Sequence, residues 1–93
     1  MPVATRLVLD VLKPHQPNAL EFVQSILMLD TLDRVKLTVE EMDEKTESVI
    51  LLVEGVDIPY QELVDVIASM GGSVHSLDEV DLTKRPAPGD ESA

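Results

Sequence analysis

Four stretches with strand character and two with helix character, in the order β-α-β-β-α-β, predict an α+β fold. It is the ferredoxin-like βαββαβ sandwich: a four-stranded antiparallel sheet, order 4-1-3-2, with two helices on one face. Three observations carry the prediction. Two-residue alternation marks residues 5–13 and 34–39 as strands. Asn18 followed by Glu21 forms a capping box that opens a helix between them. Gly71-Gly72 ends a second helix directly before the last strand.

The first strand runs from Thr5 to Lys13, with Leu7, Leu9 and Val11 on one face and Val8, Asp10 and Leu12 on the other. Pro14 and Pro17 stop it, because proline has no N–H for a ladder. A helix then covers Ala19 to about Leu29, and its apolar positions are broader than a single stripe. In the second strand Val35, Leu37 and Val39 alternate with Arg34, Lys36 and Thr38, and the alternation breaks at Glu40-Glu41, which predicts a bulge. Asp43 to Thr46 is a polar hairpin turn.

The third strand, Ser48 to Val53, is apolar on both sides, which places it centrally and covered on both faces. Pro59 suits the first turn of a helix that runs to Met70 and buries Leu63, Val64 and Ile67. The last strand is Ser73 to about Leu82. The domain is thus residues 1–82, and residues 83–93 read as a disordered C-terminal tail. Right-handed crossovers centre the first and third strands and set the fourth beside the first. The uncovered sheet face then carries Val8, Leu12, Ile50 and Leu52, an aliphatic patch that predicts a homo-oligomer.

Composition narrows the function. Eighteen acidic against seven basic residues give a net charge of −11, which repels nucleic acid and anionic membranes. With only Phe22 and Tyr60 aromatic, there is no platform on which bases stack. Cysteine is absent, so disulfides, thiolate metal sites and cysteine nucleophiles are excluded. No run approaches a membrane span, and a cytoplasmic location is expected. The acids are scattered, so a hydrated, solubilising coat competes with cation binding as their explanation.

Three segments carry a resemblance: Leu9-Asp10-Val11-Leu12-Lys13-Pro14-His15, Asp43-Glu44-Lys45-Thr46-Glu47, and Gly71-Gly72-Ser73-Val74-His75-Ser76-Leu77-Asp78-Glu79-Val80. Together, over roughly residues 4–82, they resemble the small archaeal domain-of-unknown-function family 211. The resemblance implies a ferredoxin-like fold, ring-like homo-oligomers and divalent metal ions in some members, and no established activity. With the scattered acids, it makes a halophilic archaeal source an expectation.

The candidate metal ligands are Asp10, His15, His75, Asp78 and Glu79, for calcium, magnesium, manganese or zinc. Their spacing fits no metal motif. On a regular strand His75 and Glu79 share one face and Asp78 takes the other, so a full shell needs the first strand or another subunit. The competing reading has His75 bonded to backbone and Asp78-Glu79 solvated. Asp10 is costly if buried without a partner, and a structural pair with His75 or Arg6 competes with a ligand role. Glu40, Glu41, Asp43, Glu44 and Glu47 read as a solvated acidic turn, without the glycine-turned pattern of a calcium loop.

Catalysis has no visible constellation. Ser73 and Ser76 beside His75 are strand neighbours, not a nucleophile–base pair. The expected function is therefore an oligomeric, non-enzymatic protein binding divalent cations near its first and last strands. The alternative is a regulatory or structural module that takes a small effector or a partner protein between subunits.

Overall fold

The computed structural model describes residues 1–84. It contains β1 (Pro2–Pro14), α1 (Ala19–Ile26), β2 (Leu32–Met42), β3 (Thr46–Gly55), α2 (Tyr60–Ser69) and β4 (Ser73–Lys84). The strands form one antiparallel sheet in the order β2-β3-β1-β4, which is the expected order read from the other edge. This is the ferredoxin-like arrangement. Among the described residues no helix is long and apolar enough to cross a membrane.

The core follows from strand alternation. Leu7, Leu9 and Val11 of β1 and Val49, Leu51 and Val53 of β3 meet Phe22 and Ile26 of α1 and Leu63 and Ile67 of α2, all buried. Asn18 caps α1 as the sequence predicts: its side chain accepts from the Glu21 N–H at 2.9 Å, and Glu21 reaches back to the Asn18 N–H at 3.2 Å. Gly71 has φ of 83°, the left-handed conformation that ends a helix at no steric cost.

Several boundaries differ from expectation, each for a local reason. Helix α1 stops at Ile26 rather than Leu29, because the Met28 and Leu29 N–H groups bond to Ser25 and Ile26 carbonyls in tighter turns that swing the chain into β2. In α2 it is Val66 and Met70, not Val64, that join Leu63 and Ile67 against the core, since those four lie on one stripe. Strand β3 is central, but only one of its faces is packed by helices.

The first and last strands are longer than predicted. Val3 pairs with Thr83 and Pro2 with Lys84, so Thr83 and Lys84 are strand and not tail. The remainder of the predicted tail, residues 85–93, lies outside the described residues. The bulge expected at Glu40 is present as a register shift between Val39 and Glu41.

Gly55 is fixed by packing rather than by its dihedral angles. A Cβ there would run into the backbone carbonyl of Thr31 and the Leu32 Cα, atoms that cannot swing aside. Gly55→Ala is expected to cost about 1–3 kcal/mol through overpacking. Urea unfolding checks this as a lower midpoint at unchanged slope.

Candidate functional site

The face of the sheet away from the helices has three zones, set by register. At one end a row of alternating charge crosses all four strands. Arg34 lies 3.2 Å from Glu54, which stands opposite Arg6, and Arg6 reaches Glu79 at 2.7 Å and Asp81 at 3.6 Å. These pairs are solvent-exposed and screened, so they contribute little stability and act as a polar rim. In the middle Val8 pairs with Leu52 and Asp10 with Ile50, and Leu12 follows at 40% exposure. The aliphatic patch is therefore an island of four side chains inside a polar frame, the pattern of an interface core and rim.

At the other end lies a shallow depression of about 320 Å³ lined by Asp10, Leu12, Ser48 and His75. Strand β4 carries two bulges, one of them at His75. Val11 pairs with Val74 and Asp10 with Ser76, which leaves His75 as an extra residue; Leu9 pairs with Leu77 and Val8 with Glu79, which leaves Asp78 as another. The regular alternation assumed from sequence is thus interrupted twice, and His75 comes to line the depression beside Asp10. Asp10 is half-buried on a central strand, and among the described residues its carboxylate has no hydrogen bond or ion pair.

The five sequence-derived ligands fall in three places. Asp10 and His75 share the depression. Asp78 accepts from the Ser76 hydroxyl at 2.8 Å, and Glu79 is held by Arg6. His15 stands at the far end of β1 with both ring nitrogens engaged: Nδ1 is 2.9 Å from Glu47, and Nε2 is 2.9 and 3.0 Å from the carbonyls of Asp43 and Glu44. Among the described residues, no three His or carboxylate side chains gather at metal-binding range. Asp10 and His75 supply two donors from one chain, and a complete shell needs water or a second copy.

The sequence reading missed a buried charge cluster. Lys13 is 0% exposed, and its ammonium donates to the Pro14 carbonyl at 2.8 Å and to Glu47 at 3.2 Å, with the Phe22 ring centroid 5.6 Å away. Glu47 is 7% exposed and also binds His15, so it does not belong to the solvated acidic turn that Glu40, Glu41, Asp43 and Glu44 form. Strand parity held the signal. Lys13 follows Leu7, Leu9 and Val11 at two-residue spacing, and Glu47 precedes Val49, Leu51 and Val53 in the same way.

Hydrogen bonds from His15 and Lys13 hold the Glu47 carboxyl below its ordinary range. The Glu47 hydrogen bond, with help from the Glu44 and Asp43 carbonyls, raises the His15 imidazole. The Glu47 contribution to stability is present above its ordinary 4.5 and is lost as pH falls through the lowered value. The His15 contribution is complete below its ordinary 6.5 and is lost as pH rises through the raised value.

A family model described as uncharacterized ArCR, domain-of-unknown-function family 211, matches residues 5–85. Uncharacterized protein MJ0319 of Methanocaldococcus jannaschii is 40% identical over 80 residues, spanning 86% of this chain and 82% of that protein. Neither description assigns an activity, a substrate or a ligand.

Replacing Glu47 with Leu leaves the Lys13 ammonium buried without its carboxylate, which is expected to cost about 3–5 kcal/mol. Gln24→Ala, on the exposed side of α1, is expected to fall within about 0.5 kcal/mol of the wild type. Parallel denaturant titrations separate the two.

Proposed function

The chain belongs to domain-of-unknown-function family 211, the uncharacterized ArCR proteins, and on that premise we propose that it is a self-associating module that takes up a divalent cation. In this reading the open sheet face meets a second copy, and the cation sits at the Asp10–His75 depression. It is a binding role without catalysis. The observation that supports it is Asp10: a half-buried carboxylate in an aliphatic patch, without a partner among the described residues and beside an imidazole.

Covering the patch with another protein surface removes water from Asp10, and an unpaired carboxylate is expensive to desolvate. A cation shared with His75 offsets that cost. Imidazole with carboxylate suits manganese or zinc, whereas carboxylates with backbone carbonyls suit calcium or magnesium. The four aliphatic side chains are too few for a stable interface of about 1,200 Å² or more. The charged rows around them therefore belong to the contact, and their exchange of partners sets its register.

Two measurements test the proposal. In calorimetric titration of chelator-stripped protein in concentrated potassium chloride, which screens the diffuse pull of the acids, wild type saturates with manganese or zinc. Asp10→Asn and His75→Ala lose that uptake. Weak uptake unchanged by both substitutions would assign the acids to solvation alone. In light scattering, Leu52→Glu reduces the particle mass to that of one chain while far-ultraviolet dichroism is kept; an unchanged mass removes the interface.

A further inference from the structure

We propose that the β2–β3 hairpin is held closed by His15 in its doubly protonated form, so that loss of one imidazole proton releases the tip at residues 43–45. The argument is one of donors and acceptors. The groups at the two ring nitrogens are a carboxylate, Glu47, and two backbone carbonyls, those of Asp43 and Glu44. All are acceptors, so both nitrogens must donate, and only the imidazolium carries two N–H groups. Beyond the Pro14–Thr46 pair that ends the ladder between β1 and β3, His15 ties the turn to the end of β1, and the ladder between the flanking strands ends at Met42 and Glu47, with one further Asp43 N–H to Thr46 bond.

The charges around the ring decide which bond is lost. Glu47 faces it from β3, and Lys13 from β1 holds the other oxygen of that carboxylate. The turn brings Asp43, Glu44 and Lys45, all exposed, and β2 ends with exposed Glu40 and Glu41. When one proton leaves, the other stays on Nδ1 beside the Glu47 carboxylate. The Nε2 lone pair then points at the lone pairs of the Asp43 and Glu44 carbonyls, at 2.9 and 3.0 Å. Attraction becomes repulsion, and the crowded acids of the tip add to it. Glu47 stays in place because Lys13 still holds it, so the opening is confined to the tip.

This device is distinct from cation uptake, because His15 is not among the residues that line the Asp10–His75 depression. Nuclear magnetic resonance on the full chain tests it. Two-bond 1H–15N spectra follow the protonation of both His15 nitrogens from pH 6 to pH 9.5, and heteronuclear NOE values follow the mobility of residues 43–45. His15 is expected to titrate above its ordinary 6.5 and to leave the Nδ1–H tautomer. The NOE values of residues 43–45 fall in the same pH range, while those of Val49 and Leu51 stay constant. His15→Gln abolishes that pH-dependent step, and His75→Gln keeps it. Titration of His15 at or below 6.5, or a tip that stays rigid after His15 has lost its proton, overturns the proposal using wild type alone.

Discussion

Two helices are enough to cover only one face of a four-stranded sheet, and that shortage of cover shapes this molecule. The helices take the face where Leu7, Leu9, Val11, Val49, Leu51 and Val53 stand, and these side chains are entirely or almost entirely buried. The opposite face of the same central strands keeps Val8, Leu12, Ile50 and Leu52. Half-exposed aliphatic side chains side by side on central strands are a feature that neither solubility nor the fold of a single chain explains. The charged rows around them, Arg34–Glu54 and Arg6–Glu79, frame the patch and keep it small. Asp10, in its middle, is the residue through which assembly and ligand uptake become one question.

The ends of the core meet a different constraint. Where the hydrophobic layer runs out, strand parity would place one more apolar pair, and the chain has Lys13 and Glu47 instead. Burying two charges is tolerable only when each is paired and hydrogen-bonded, and here each is: Lys13 by Glu47 and the Pro14 carbonyl, Glu47 by Lys13 and His15. The adjoining hairpin turn is rich in carboxylates, so Lys13, and His15 when protonated, also neutralise a segment that would repel itself. The histidine that a reading of types alone assigns to a metal is thereby committed to holding a turn.

Fold and site were legible in the sequence to different degrees. Element order, the α1 capping box, the Gly71 helix stop, the β2 bulge and the face shared by Val8, Leu12, Ile50 and Leu52 all follow from local chemistry and two-residue alternation. The closeness of Asp10 and His75 also followed, because the topology sets β4 against β1. What escaped depended on register. The two bulges in β4 fix the positions of His75 and Asp78, and no residue type marks a bulge the way glycine marks a left-handed turn. The clamp of Lys13, Glu47 and His15 was visible in strand parity, yet a strand-end lysine and an acidic turn suggest solvent when each is considered apart. The extension of β4 to Lys84 escaped for a similar reason, since Pro2–Val3 has a strand partner only once the ladder is drawn.

The measurement that most directly tests the account is paramagnetic relaxation by substoichiometric manganese, read in 1H–15N spectra at high potassium chloride. A cation held in the Asp10–His75 depression broadens Asp10, Leu12, Ser48 and His75 first and leaves Asp33, Glu62 and Asp65, which do not line it, sharp. Broadening spread evenly over those carboxylates, or concentrated on the Glu40–Glu44 turn, contradicts the account and makes the acidity of this chain a matter of hydration.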